Sequence, residues 1–365
     1  MKLTARIKLL PSKGQAEDLL DTIRSMNFAS CFAAEVGFNH KVFGQIGNHK
    51  LCYREIRKRF NLSAQMAVRT IGKVVACFSR DKKICPKFDP LGAIQLDNRL
   101  YHLARPEKVS ILTLVGRLLI PFIIGDYFKS FFDRKTGQAD LVYQNGQFYL
   151  CISIEFPEDS PIIPRDWIGV DFGLVNIATD SSGEIFSGER IGSNRKTRST
   201  ARKQYQRRGT KNAKRRLKSL SGRQSRFQKQ TNHCISKRLV EKAKAQSSGI
   251  VLEDLKGIRS RLEGTVSKRL RSRLGNWGFA HLRFCIEYKA RLKGIPVLVV
   301  NPRNTSRTCS VCGHCEKANR RSQAEFLCKK CNYSSNADLN AAQNLRALGL
   351  GCNKPAPKAA ISVSC

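Results

Sequence analysis

The stretch Trp167-Ile168-Gly169-Val170-Asp171-Phe172-Gly173 decides how the second half of this chain is read. A short apolar run ending in an acid is the pattern of a buried strand that delivers a carboxylate to the end of a sheet. The glycines on either side let another backbone, or a phosphate, come close. Working outward, a turn at Gly173 leads to a strand through Ala178, a second turn at Ser182-Gly183 and a strand over 184–187. Two further acids stand in comparable places. Ile250-Val251-Leu252-Glu253 puts one at the end of another apolar strand, and Asn336-Ala337-Asp338 puts one in the first turn of a helix expected to run to Leu348.

Each acid alone has an ordinary reading. Asp171 suits a turn, or the phosphate site of a sugar-kinase or actin-like fold. The triplet Asp171-Phe172-Gly173 also occurs in protein kinases, but no Gly-rich loop, strand lysine or His-Arg-Asp loop accompanies it. Asp338 suits the positive end of a helix. Taken together they have a chemical meaning. Two-metal phosphodiester cleavage needs carboxylates from separate elements to hold hard cations about 4 Å apart, where the ions activate water and stabilise the leaving oxygen.

Between the second and third acids lie Cys309-x-x-Cys312 and Cys328-x-x-Cys331, separated by fifteen residues. This is the spacing of a four-cysteine zinc ribbon, with Gly313 and Asn332 at the tight-turn positions. His314 and Cys315 are spare and are left out of the ligand set. A closed four-thiolate site is structural, so one Zn2+ is expected to fold the segment and not to react. The remaining ten cysteines are expected to be reduced and mostly buried.

The chain has 66 Lys and Arg against 28 Asp and Glu, a formal net charge of +38. Such an excess calls for a polyanionic partner, with nucleic acid first. A membrane surface is disfavoured because no basic amphipathic helix with an aromatic face is present. The longest apolar run, 118–124, is too short to span a bilayer and contains Pro121. No signal-peptide core stands in residues 1–10. Residues 195–244 carry 19 Lys and Arg and a single acid, Glu241. Lys214, Arg215, Arg216 and Lys218 are the candidate phosphate contacts there. Tyr205 and Phe227 are equally suited to stacking on bases or to core packing.

In the first half, Leu3, Ala5, Ile7 and Leu9 alternate with polar residues as in a half-buried strand. Ser12 and Gln15 form a capping-box pattern ahead of a mostly helical region, 15–82, in which Asn61-Leu62-Ser63 marks a second helix start. From 93 to 156 the pattern is β, with a hairpin at Asn145-Gly146. The N-terminal strand is expected to join this sheet, with the helices inserted between them. Residues 157–164 read as a linker. Helix 276–292 and strand 297–300 follow the second acid.

The series Gly169-Val170-Asp171-Phe172-Gly173, Leu252-Glu253-Asp254-Leu255, Thr305-Ser306-Arg307-Thr308-Cys309-Ser310-Val311-Cys312-Gly313, Cys328-Lys329-Lys330-Cys331 and Ala337-Asp338-Leu339-Asn340-Ala341-Ala342-Gln343-Asn344-Leu345 resembles the TnpB family. These are transposon-encoded RNA-guided endonucleases related to type V CRISPR effectors. The motifs span about 168–348, and Phe172 departs from the Leu or Arg common at its position. The resemblance implies a multidomain α+β fold: an N-terminal β-barrel with an inserted helical region, then an RNase H-like (RuvC) α/β nuclease core with a zinc-ribbon insertion. It implies a wedge-like β domain over 1–10 and 86–160 and a helical recognition insertion over 11–85. The nuclease would occupy 165–303 and 334–348 with its basic helical insertion at 195–247, the ribbon 304–333 and a tail 349–365.

It also implies roles. Asp171, Glu253 and Asp338 match the three catalytic acids that hold two Mg2+ or Mn2+ ions, and the four cysteines match the zinc site. Arg307 is a candidate contact to the scissile strand. The expected partners are a guide RNA derived from the mobile element and target DNA, with one protein on one RNA, in the nucleoid-associated cytoplasm. An RNA-independent transposase or resolvase using the same site is the alternative, and a non-catalytic RNA-guided binding module is the third reading.

Overall fold

The structure is a computed structural model that describes residues 1–104, 107–125, 129, 136–255 and 278–352. It divides into two units, Met1–Pro157 and Glu158–Cys365.

In the first unit, β1 (Lys2–Leu9) buries Ala5, Ile7 and Leu9 as the alternation requires. The capping box forms: the Ser12 hydroxyl accepts from the Gln15 amide and the Gln15 side chain accepts from the Ser12 amide, opening α1 (Lys13–Asn39). The helical region then divides into α2 (Gln45–Phe60) and α3 (Ala64–Phe78). Asn61, at φ +50°, ends α2, and Ser63 caps α3 through the Met66 amide. Strands β2 (Ile94–Leu96), β3 (Tyr101–Ala104), β4 (Lys108–Thr113), β5 (Gly116–Ile123), β6 (Thr136–Gln144) and β7 (Gln147–Glu155) complete a seven-stranded sheet in the order β2-β6-β7-β1-β5-β4-β3. Asn145 and Gly146, at φ +53° and +77°, make the tight turn between β6 and β7 that an Asn-Gly pair favours. The Tyr101 hydroxyl on β3 donates to the Gly137 carbonyl on β6 at 2.6 Å, so the two ends of the sheet approach each other and the barrel is nearly closed. The N-terminal strand thus sits inside the later sheet with the helices inserted, as the alternation in 1–10 and 93–156 predicts.

The second unit is built on a five-stranded sheet, β10-β9-β8-β11-β12. Its strands are β8 (Asp166–Asp171), β9 (Asn176–Asp180), β10 (Ile185–Ser187), β11 (Ser248–Glu253) and β12 (Val297–Val300). Strands β8, β11 and β12 run parallel, while β9 and β10 are antiparallel additions on one edge. Between β10 and β11 lie two helices, α4 (Glu189–Arg208) and α5 (Lys211–Ala245). The first begins before residue 195, where the basic insertion was expected to start. Helix α6 (Phe279–Leu292) precedes β12; the sequence predicts its start at 276, and 276 and 277 lie outside the described residues. Beyond β12, a cysteine-rich segment ends in the hairpin β13 (Glu325–Leu327) and β14 (Ser334–Asn336), which leads directly into α7 (Ala337–Cys352). Of the predicted tail 349–365, residues 349–352 extend α7 and the rest lies outside the described residues.

Side-chain parity sets the layers. Ile168, Val170, Ile250 and Leu252 face the core made with α5 and α6 through Ile235, Leu239, Leu282 and Ile286. The alternate residues Trp167 and Val251 pack on the other face against Leu345 of α7. No helix among the described residues is long and apolar enough to cross a membrane.

Candidate active site: three carboxylates beside a four-cysteine cluster

Parity and register together bring the acids to one place. Asp171 follows Trp167 and Gly169 on the face that carries α7, and Glu253 follows Val251 on the same face. The last paired residues of β8 and β11 are Val170 and Leu252, so Asp171 and Glu253 lie one step further on, at adjacent ends of parallel strands. Helix α7 brings Asp338, in its first turn, close enough for its charge to act on both, and there the Asn336 side chain caps the amides of Asp338 and Leu339 at 2.9 and 3.2 Å. Close approach of this helix depends on Gly169. A Cβ there would stand 2.0 Å from the Ala342 carbonyl oxygen and 2.5 Å from the Arg346 amide. The glycine before the acid therefore admits a helix backbone. Gly173 serves the turn into β9, where a Cβ would stand 2.6 Å from the Asn176 carbonyl oxygen.

The electrostatics are those of a crowded acid cluster. Burial and the neighbouring Asp171 and Asp338 charges push the Glu253 carboxyl up to about 10, and burial raises Asp171 as well. These two side chains share a hydrogen bond, which a pair holding one proton between them can make. Two residues that the sequence reading missed complete the site. The Asn176 amide, at the start of β9, donates to Asp338 Oδ2 at 2.9 Å. Arg320 sets a guanidinium nitrogen 3.7 Å from Asp338 Oδ1, and its charge acts on Asp171 and Glu253 too. Its Nε and Nη2 also donate to the Ser322 and Gln323 carbonyls, which fixes the guanidinium within its own loop. Arg307, the arginine named from sequence, is exposed and makes no contact with the acids among the described residues.

The four cysteines converge. Cys309 and Cys331 Sγ atoms are 3.7 Å apart, those of Cys312 and Cys328 are 3.5 Å apart, and all four lie within 4.8 Å of one another. Thiolates about 2.3 Å from a tetrahedral zinc stand about 3.8 Å apart, so the quartet fits that ion. Gly313 and Asn332, at φ +72° and +55°, close the two turns. Burial opposes ionisation of Cys328, yet the Cys331 and Lys330 amides and the neighbouring thiols bring it down to about 6. His314 instead pairs with Glu316 at 3.1 Å.

Helix α7 also grips this cluster. Asn340 accepts from the Ser310 amide and donates to the Thr308 carbonyl, and Asn344 donates to the carbonyls of Thr305 and Thr308. The element that carries Asp338 is therefore tied to the first cysteine turn. Buried polar residues at 340 and 344, one turn apart on a small-residue helix, are the sequence signal that marks this contact.

Among the basic residues, Lys214, Arg215, Arg216 and Lys218 are all exposed on α5. Phe227 packs against the apolar core, and Tyr205 lies under Arg216 at 5.9 Å, so Phe227 takes the packing role of the two open to it.

A model of the Cas12f1-like TNB domain matches residues 279–345. The chain is 30% identical to TnpB-like protein MJ0751 of Methanocaldococcus jannaschii, over 66% of this chain and 90% of that protein. It is 32% identical, over 78% of this chain and 73% of the relative, to the protein of Escherichia coli (strain K12) named "Putative RNA-guided DNA endonuclease InsQ". CRISPR-associated endodeoxyribonuclease Cas12f1 of Syntrophomonas palmitatica is 35% identical, and the match spans 40% of its length; a second Cas12f1, from Sulfoacidibacillus thermotolerans, is matched over 59%. The chain thus spans about half the length of these two relatives. Its fold is similar to that of Cas12f1 in a complex with single-guide RNA and target DNA, at a TM-score of 0.62 and 15% identity, covering 95% of this chain and 98% of that one. A mini-RNA-guided endonuclease, Cas_phi3, gives a TM-score of 0.60 at 10% identity, covering 97% and 93%. With two relatives at 30% identity or more, each spanned over most of its length, the chain belongs to the TnpB family.

Proposed function

We propose that this chain is an RNA-guided DNA endonuclease encoded by a mobile element. It would read a short motif beside its target and cut by metal-dependent phosphodiester hydrolysis in a RuvC-type (RNase H-like) site. The observation that carries this reading is the convergence of Asp171, Glu253 and Asp338, from three separate elements, at one end of the sheet. The names of relatives such as InsQ support the RNA-guided part.

The donor set suits hard divalent cations. Three neighbouring carboxylates, two of them buried, carry more negative charge than Arg320 offsets, and all their ligand atoms are oxygen, which favours magnesium or manganese. Asp171, Glu253 and Asp338 would hold two such ions, whose chemistry when bound would be to activate water and stabilise the leaving oxygen. Asn176 holds Asp338 by Oδ2 and so fixes the carboxylate plane. Arg320 keeps positive charge beside the acids, where a scissile phosphate would need it. The four-thiolate cluster takes one structural zinc, which folds the segment that holds Arg320. The exposed arginines and lysines of α5 take nucleic-acid backbone, and Arg307 is a further candidate contact. One protein on one guide RNA, working on DNA in the nucleoid-associated cytoplasm, completes the reading.

The test begins with RNA that copurifies with the protein. One discrete RNA species is expected, and changing its terminal sequence should redirect Mg2+-dependent cutting to a matching DNA. Asp171→Ala, Glu253→Ala and Asp338→Ala should each abolish cutting while leaving nucleic-acid binding. Cutting that ignores the RNA, or needs none, puts the transposase or resolvase reading in its place. Guided binding without cutting by the unaltered protein leaves a binding module.

A further inference from the structure

A second group of metal-ligand side chains lies in the helical layer on the opposite face of the sheet from α7. His281 and Cys285 are four residues apart on α6, so they project from one side of that helix, one turn apart. His233 meets them from α5. Cys285 Sγ is 3.8 Å from His233 Nδ1 and 3.7 Å from His281 Nδ1, and one donor atom from each residue lies within 4.8 Å of the other two. In a tetrahedral zinc site with Zn–S about 2.3 Å and Zn–N about 2.0–2.1 Å, a sulfur and a nitrogen stand about 3.6 Å apart. The two sulfur–nitrogen distances are thus already close to the spacing that an ion between these donors would impose.

We propose that His233, His281 and Cys285 form a second transition-metal site, of zinc type, which staples the long basic helix α5 to α6. One thiolate and two imidazoles suit a borderline-soft divalent ion and do not suit the magnesium or manganese of the acid cluster. Cys285 is fully buried, His281 half-buried and His233 exposed, so the site opens to solvent on the His233 side and leaves a fourth position for water. Its surroundings are ordered. Lys289 donates to the His233 carbonyl and the Ser236 hydroxyl at 2.6 and 2.7 Å, and the Asn232 side chain bonds the Gly278 carbonyl and sits 3.2 Å from His281 Nδ1. The staple would act on the helix that presents Lys214, Arg215, Arg216 and Lys218, so metal would stiffen the base of that positive surface.

Titration of the metal-stripped full-length protein with Co2+, followed by absorption and X-ray absorption spectroscopy, tests the site. Wild type should take two sulfur-ligated equivalents, apart from any ion on the oxygen ligands of the acid cluster: one with four sulfur neighbours, one with a single sulfur and nitrogen neighbours. Cys331→Ser should remove the four-sulfur signature and keep the other. His233→Ala, at an exposed residue, and Cys285→Ala should each remove the mixed signature and keep the four-sulfur one. A single sulfur-ligated equivalent in wild type, with four sulfur neighbours, overturns the proposal. So does a mixed signature that survives in both His233→Ala and Cys285→Ala.

Discussion

Asn176 and Asp338 stand 162 positions apart in the chain and meet through one hydrogen bond of 2.9 Å. A carboxamide that fixes the orientation of a ligating carboxylate belongs to the shell whose loss costs roughly 10–100-fold in metal affinity or activity. Asn176→Ala is therefore expected to lower the cleavage rate by that factor while leaving RNA binding unchanged. Extra Mg2+ should recover part of the loss if the defect is in affinity. Arg320→Ala should cost roughly 100-fold, as removal of one preorganised charge at a reacting phosphate does. The double variant Asn176→Ala/Arg320→Ala should lose less than the product of the two single losses, because both residues act through Asp338. Full additivity would detach Asn176 and Arg320 from the site. The positions of the three acids in the fold were legible in the sequence, because Asp171 and Glu253 each end an apolar run and Asp338 stands in the first turn of a helix, patterns that local spacing carries. Asn176 and Arg320 were not. An asparagine after a turn and an arginine in a cysteine-rich loop acquire meaning only once α7 has packed on β8.

The packing of α7 on β8 is a property of elements, and Gly169 is its hinge point. Gly169→Ala sets a methyl against backbone atoms of Ala342 and Arg346, which cannot rotate away. Overpacking of this kind costs roughly 1–3 kcal/mol, and here it also displaces the helix that carries Asp338. The expected result is a lower melting temperature together with a loss of cleavage. A stable, fully active variant would mean that the helix is not seated as described. A second junction holds the β9–β10 hairpin to α5. Lys242 on α5 pairs with the buried Asp180 and with Glu184, and Arg238 pairs with Glu184. Burial of Asp180 opposes its charge, yet Lys242, the Ser182 hydroxyl and the Glu184 amide hold its carboxyl below the usual aspartate range. A depressed folded-state pKa contributes stability that is present above the ordinary value, about 3.9, and is lost as pH falls through the folded one. Lys242→Met should thus cost roughly 2–3 kcal/mol near neutrality by leaving a buried charge with fewer partners. The gap from wild type, measured by denaturant titration, should close under strong acid. Both strands of this junction were readable from apolar runs and turn residues. The pairing was not, because Lys242 is one of many cations in a run that looks uniformly solvated, and only tertiary packing singles it out.

At the scale of the whole molecule, the net charge of +38 is the dominant fact, and the fold distributes it unevenly. Lys242 and Lys244 near the end of α5 are engaged with Asp180, Glu184 and Asp159. Lys214, Arg215, Arg216 and Lys218 near its start are all exposed, with the Arg216 guanidinium over the Tyr205 ring. One helix therefore has a structural end, welded to the sheet, and a cationic end facing solvent. That division gives the charge argument a location that composition could not give. Electrostatics alone does not distinguish RNA from DNA, so the discriminating quantity is how many phosphates the exposed end neutralises. Each neutralised phosphate adds roughly −0.7 for single strands, or −0.9 for duplex, to the slope of log affinity against log salt. Replacing the four residues together by glutamine should flatten that slope by roughly 3 if each meets a phosphate. The same replacement should leave the melting temperature nearly unchanged, since none of the four is part of the core. Replacing Lys244 alone removes an exposed ion pair with Asp159 and should leave the slope as it was. An unchanged slope in the fourfold variant would return 211–218 to a solvated helix face. A flattened slope for the guide RNA but not for target DNA would assign the cationic end of α5 to the guide.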